Sequence, residues 1–335
     1  MLFPDNVKPL THGGNLAAAR LLFPGAPEPF IDLSTGINPH AYPIPPLALE
    51  AFSRLPEPAA VERLCAAAAE AYGSPSRAHV VATSGTQALL PVVAKLVPPG
   101  RAAVLGTTYS EHARAAWLAG HDVKEVVSIE EMAAADLAIV ANPNNPDGRI
   151  FDKLTLLALA DALKQRNGIL AVDEAFMDVG PTNASLAGEV DHGNIVVLRS
   201  FGKFFGLAGV RLGFALAVPD AAAQIAAWFG PWAVSGPAIA IGEVALKDVA
   251  WMQAAREVLA RSASRLDAVL TRPALNVVGG TLLFRLVQTK IAGELFNGLG
   301  RAGILVRRFE ERPTWLRFGL PRGEEAWKRI ASALA

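Results

Sequence analysis

The sequence predicts an α/β protein: a large domain on a mainly parallel seven-stranded sheet, followed by a smaller α+β domain. Three observations predict it. Seven short apolar runs rich in β-branched residues read as buried strands, helical patterns lie between most of them, and the alternation stops after Val218.

The strand candidates, in order, are His79–Ala82, Ala102–Leu105, Val123–Val127, Leu137–Ala141, Ile169–Val172, Ile195–Leu198 and Val210–Val218. Helical spacing runs from Gln87 to Leu96 after the first, Glu111 to Ala119 after the second and Asp152 to Arg166 after the fourth. Strands that alternate with helices imply a parallel sheet covered on both faces. Beyond Val218 the helical stretches lengthen, from Asp220 to Trp228 and from Ser235 to Leu270. Two further strand candidates follow, Thr281–Val287 and Trp315–Gly319, with a helix at Ile291–Ala302 between them. The first 45 residues hold eight prolines and read as a loop-like arm. The expected division is an arm over 1–26, a large domain over 27–229 and a small domain over 230–335.

At 335 residues, 52% hydrophobic and 19% charged, the chain can bury a substantial core. Lys+Arg and Asp+Glu are 31 each, so no net field gathers nucleic acid or an anionic membrane. Cys65 is the only cysteine, which excludes an internal disulfide and a cysteine-based metal site. No metal site is expected. Residues 1–10 lack the apolar core of a secretory leader, and Phe214–Phe229, broken by Pro219 and Asp220, falls short of a membrane span. The expected compartment is a reducing cytoplasm.

In open α/β sheets, ligands bind beyond the carboxyl ends of the strands. Polar residues collect there in this sequence. Thr83-Ser84-Gly85-Thr86-Gln87 follows the first strand and opens a helix. That is an anion site or ordinary capping. Tyr109 follows the second strand. Asn142-Pro143-Asn144-Asn145-Pro146-Asp147-Gly148 follows the fourth, either a plain tight turn or a loop that aims an Asn amide at a ligand. Asp173-Glu174-Ala175 ends the fifth, and a carboxylate after a buried run needs a partner.

Arg199-Ser200-Phe201-Gly202-Lys203 ends the sixth strand and continues through Phe204 to Gly213. A lysine among Phe, Gly and Leu is poorly placed as a surface charge, and desolvation makes it a usable amine nucleophile. Ser200, three residues before it, and Arg211, eight after it, suit a phosphate.

The S-x-x-K…G-x-R-x-G segment, with N-P-N-N-P-x-G and D-E-A before it, resembles the fold-type-I pyridoxal-phosphate (PLP) enzymes of the histidinol-phosphate aminotransferase-like branch. The match covers nearly the whole chain. The resemblance implies that Lys203 holds the cofactor as a Schiff base and moves the proton at the substrate α-carbon. It implies Asp173 on the pyridinium nitrogen, Tyr109 on the ring face and Asn145 on the phenolic oxygen. Gly85, Thr86, Ser200 and Arg211 would hold the cofactor phosphate, and Arg317 the substrate carboxylate. Two positions depart from many relatives. Phe176 stands where a tyrosine reaches the ring oxygen, and Leu55, in Arg54-Leu55-Pro56-Glu57, where a tyrosine reaches a partner subunit's cofactor.

The arm narrows the reaction. His12-Gly13-Gly14-Asn15 with Asp32-Leu33-Ser34-Thr35-Gly36-Ile37-Asn38-Pro39 is similar to the threonine-phosphate decarboxylases of cobalamin biosynthesis. By that similarity His12, Gly13, Gly36, Asn145, Arg307 and Arg317 would touch the substrate, a phosphorylated amino acid. Arg307 stands among Arg308, Glu310, Glu311 and Arg312, which also reads as a solvated cluster. The expected activity is PLP-dependent decarboxylation of L-threonine O-3-phosphate to (R)-1-aminopropan-2-yl phosphate, with transamination of histidinol phosphate or a similar amine as the alternative. Relatives of this kind are homodimers, so a homodimer is expected.

Overall fold

The structure is a computed structural model that describes residues 12–335. Its strands are β1 (Ile31–Leu33), β2 (Val80–Thr83), β3 (Arg101–Leu105), β4 (Asp122–Val126), β5 (Leu137–Ala141), β6 (Ile169–Asp173), β7 (Ile195–Ser200), β8 (Gly213–Leu216), β9 (Asn276–Thr281), β10 (Phe284–Gln288), β11 (Ile304–Arg308) and β12 (Trp315–Gly319). The helices are α1 (Leu16–Leu22), α2 (Glu50–Ser53), α3 (Pro58–Tyr72), α4 (Thr86–Ala94), α5 (Glu111–Leu118), α6 (Lys153–Lys164), α7 (Phe201–Phe204), α8 (Pro219–Phe229), α9 (Gly236–Lys247), α10 (Val249–Leu270), α11 (Ala292–Arg301) and α12 (Gly323–Ala333).

The chain divides into two compact units. The first comprises 42–145 and 149–251, the second 12–41, 146–148 and 252–335. These bounds differ from the expected 27–229 and 230–335, and residues 1–11 of the expected arm lie outside the described residues. Residues 230–251 join the first unit because α9 packs on α3: Gly242 lies so close to Leu64 and Leu212 that an added Cβ would be 2.9 and 2.5 Å from their methyl carbons. Residues 27–41 join the second unit because β1 pairs with β11, Leu33 opposite Val306.

In the first unit the sheet order is β2-β8-β7-β6-β5-β3-β4. All neighbours are parallel except those of β8, which is antiparallel to both β2 and β7. β5 is buried at every position, as its unbroken apolar run requires between two helix layers. β4 is the edge strand and carries exposed Asp122, Lys124 and Glu125, charges that oppose pairing with another chain. α6 starts where the Asp152 side chain accepts the Thr155 N–H at 2.9 Å. The last strand candidate before the change of pattern, Val210–Val218, forms a strand only over Gly213–Leu216. Arg211, at φ 55°, turns the chain before it. The helical run Ser235–Leu270 breaks at Asp248, which caps α10 by accepting the Trp251 N–H at 3.0 Å.

In the second unit the sheet order is β1-β11-β12-β10-β9, antiparallel except for β1 with β11. The expected strand Thr281–Val287 is two strands, because a turn fixed by Leu283 N–H donating to Thr281 Oγ1 (3.1 Å) separates β9 from β10.

Candidate active site

The first unit places the sequence-predicted residues at the carboxyl ends of β2, β3, β5, β6 and β7. β7 delivers buried Ser200 and then α7, whose third residue is Lys203. Lys203 is half-buried, with Nζ 5.9 Å from the centre of the Phe176 ring. Phe201, Phe204 and Phe205 are buried around this turn. Gly202 is required there, since a Cβ would come within 2.8 Å of the Ala208 Cα. The lysine therefore stands on a short, fixed helix with an apolar floor.

Asp173 ends β6, its side chain 12% exposed. Its Oδ1 accepts the Ala175 N–H at 3.0 Å, and its Oδ2 lies 2.8 Å from Nε2 of fully buried His112. His112 Nδ1 has no hydrogen-bond partner among the described residues. Sequence reasoning missed His112. The available signal was a histidine three residues after Tyr109, the second residue of a helix. The two rings meet edge to face, 5.5 Å apart at 89°.

Glu174, the next residue, has a separate set of partners. It is fully buried, bound to Arg199 at 3.0 Å, Ser185 Oγ at 2.6 Å and the Leu186 N–H at 2.7 Å. Arg199 also reaches Asp178 at 2.7 Å and lies over the Tyr72 ring. Burial alone works against the Arg199 charge, but Asp178 and Glu174 outweigh it and hold the guanidinium above its ordinary pKa. The Asp-Glu pair thus divides its labour: one carboxylate faces the site, the other locks the turn.

Four residues form an anion cradle. Gly85 sits at φ 93°, and a Cβ there would lie 2.7 Å from the Arg211 guanidinium. Thr86 begins α4, and a Cβ on Gly213 would lie 2.5 Å from its N–H. Ser200 pairs with Gly213 across β7 and β8. Helix N–H groups and a guanidinium lie together, with Ser200 on the strand paired to Gly213, as a phosphate needs. In the asparagine loop, Asn142 bonds Phe151 and Ala184 backbone, and Asn144 Nδ2 donates to the Thr107 carbonyl at 2.9 Å. Two asparagines hold the loop, and Asn145 is half-buried beside them. Phe176 is buried, without the hydroxyl of the usual tyrosine, and Leu55 is 64% exposed.

In the second unit, Arg317 on β12 is buried and donates from Nη2 to the Ser34 carbonyl at 2.8 Å. Arg307 on β11 is its cross-strand partner. Burial, then the Arg307 charge, lowers the Arg317 pKa to about 10 against the pull of Asp32. Alternation along β11 sends Arg307 and Arg308 to opposite faces, which separates the half-buried Arg307 from the exposed Arg308. Ser34 ties the arm in. Its N–H and Oγ donate to Asp32 Oδ1 at 2.8 and 2.6 Å, and its Oγ accepts the Gly14 N–H at 2.7 Å. Gly13 lies against the Ser34 backbone with no room for a side chain, Gly36 is buried and His12 is exposed.

The first-unit residues fit PLP. A fixed carboxylate, an amine and an aromatic face accompany a phosphate cradle that one extra methyl group would fill. Such a sheet with such a site defines a pyridoxal-phosphate enzyme of fold type I.

The chain belongs to the aminotransferase class I and II family, whose sequence pattern matches residues 46–334. It is 43% identical over 330 residues to a threonine-phosphate decarboxylase of Sinorhizobium sp, covering 98% of each chain. It is 42% identical over 329 residues to a threonine-phosphate decarboxylase of Pseudomonas aeruginosa, covering 97% of each. The crystal structure of histidinol-phosphate aminotransferase from Sinorhizobium meliloti in complex with pyridoxal-5'-phosphate matches with a TM-score of 0.78 at 20% identity, over 95% of this chain and 93% of that one. That likeness shows the fold.

Proposed function

We propose that the chain is a PLP-dependent lyase that decarboxylates L-threonine O-3-phosphate to (R)-1-aminopropan-2-yl phosphate, in cobalamin biosynthesis. The observation that carries this reading is the Arg307–Arg317 pair. Two guanidinium groups side by side repel each other and bind an anion in preference to water. A substrate with a phosphate and a carboxylate matches two such cations. The names of the two full-length relatives support the same substrate.

When bound, PLP supplies the electron-withdrawing ring that takes up the electron pair released at the substrate α-carbon. The remaining tasks fall to the chain. Asp173 holds a proton at the ring nitrogen, and His112 and the Ala175 N–H hold Asp173. Lys203 anchors the cofactor and delivers a proton to the α-carbon after carbon dioxide has left. Asn145 donates to the ring oxygen. Phe176 leaves that oxygen one donor short of the usual set and presents an apolar surface instead. Arg317 orients the carboxylate, and Arg307 with His12, Gly13 and Gly36 takes the substrate phosphate.

A product assay tests the reading. O-phosphothreonine with PLP yields carbon dioxide and an amine phosphate with no 2-oxo acid acceptor present. Turnover of histidinol phosphate that needs 2-oxoglutarate, with no carbon dioxide from O-phosphothreonine, overturns it. The reading includes a homodimer in a reducing cytoplasm, a compartment suited to a single cysteine that is buried. Among the described residues no helix is long and apolar enough to cross a membrane.

A further inference from the structure

A chain of polar contacts runs from Tyr109 into α4 and α5. The Tyr109 hydroxyl lies 3.0 Å from Gln87 Oε1, Gln87 Nε2 lies 3.1 Å from Glu111 Oε2, and Arg114 pairs with Glu111 at 3.2 Å. Glu111 is 5% exposed, unusual for a carboxylate on a helix whose neighbours could have turned it to solvent. The polarity of the chain follows from its end. A carboxylate offers only lone pairs, so it takes the NH2 end of the Gln87 amide. The amide oxygen is thereby aimed at Tyr109, and the phenol must donate. Its single proton is then committed.

The placement matters. Gln87 follows Thr86 of the phosphate cradle on α4, and Glu111 precedes His112, which holds Asp173, on α5. The same two helices that fix the cofactor's phosphate and ring nitrogen therefore reach the ring of Tyr109. We propose that Gln87 and Glu111 are positioning residues that set the plane of the Tyr109 ring against the cofactor, and that the Tyr109 hydroxyl is a committed donor to Gln87 and not a proton source for substrate. The proposal rests on the reading of Tyr109 as the residue stacked on the cofactor.

The chain has three tyrosines, so Tyr42, Tyr72 and Tyr109 labelled with carbon-13 at Cζ give three assignable signals. In cofactor-free protein, Gln87→Leu shifts the Tyr109 signal and leaves the other two in place. In the loaded enzyme, Gln87→Leu and Tyr109→Phe each speed cofactor release into a trapping solution about fivefold, the effect of one lost neutral hydrogen bond. The double variant releases no faster than either single one, because both remove the same contact. Glu111→Gln frees the Gln87 amide to turn and speeds release. Adding Gln87→Glu to that variant restores retention, because the carboxylate then accepts from Tyr109 and from the amide introduced on α5. An unmoved Tyr109 signal in Gln87→Leu, or additive effects in the double variant, overturns the proposal. A Tyr109 signal that moves while Tyr109→Ala leaves cofactor release unchanged overturns the stacking reading instead.

Discussion

His112 Nε2 lies 2.8 Å from Asp173 Oδ2 in a pocket otherwise lined by Leu90, Val93, Ile139 and Leu198 among others. An apolar wall of this kind strengthens a hydrogen bond to a charged group, because water does not compete for it. His112→Phe removes one such bond, worth about 1.5–3 kcal/mol. We expect kcat to fall by about 10- to 100-fold with KM little changed, since the residue acts on chemistry through Asp173 and not on substrate binding. Steady-state kinetics with saturating cofactor check this.

Arg317 gives a pH signature. With its pKa lowered to about 10, it is charged at neutral pH and loses its charge as pH rises through that value. Affinity for O-phosphothreonine therefore weakens above about pH 10, approaching tenfold per pH unit, while affinity for the decarboxylated product, which lacks the carboxylate, does not follow this edge. Binding measured by cofactor absorbance separates the two.

Arg307→Leu tests the neighbouring cation. Loss of a charge-assisted hydrogen bond to phosphate raises KM for O-phosphothreonine by at least about tenfold. It also removes a like charge from beside Arg317, so the alkaline edge moves above about pH 10. An unmoved edge would separate the two arginines energetically.

The Glu174–Arg199–Asp178 cluster makes a stability prediction. Arg199→Met leaves two buried carboxylates without their cation and costs about 3–5 kcal/mol. Replacing Glu174 and Asp178 by Leu in the same variant recovers part of the loss, because the uncompensated charges go too. Urea unfolding midpoints report the order. A triple variant less stable than Arg199→Met alone contradicts the argument.

The elements that end in chemistry were legible in the sequence because buried parallel strands are unbroken apolar runs, so a polar residue at the end of one stands out. Asp173, Ser200 and Lys203 are of this kind, and Leu137–Ala141 and Trp315–Gly319 match their strands end to end. His112 was not legible. Its place in a helical pattern does not say which face is covered, and only the fold puts it against Asp173. β1, three residues long, and β9, with exposed Val277 and Val278 ahead of two glycines, carry no alternation to read. Arg307 and Arg308 look alike in sequence, and only the pleat of β11 assigns them to different faces. Ser34 is a further case: a serine in a proline-rich arm gives no sign that its carbonyl accepts from an arginine 283 residues later.

The fate of the substrate carboxylate tests the central claim most directly. L-Threonine O-3-phosphate labelled at its carboxyl carbon, mixed with enzyme and PLP in the absence of any 2-oxo acid, should release the label as carbon dioxide in step with formation of the amine phosphate, and Lys203→Ala should release none. Label retained in a 2-oxo acid, formed only when an amino acceptor is supplied, would contradict the account.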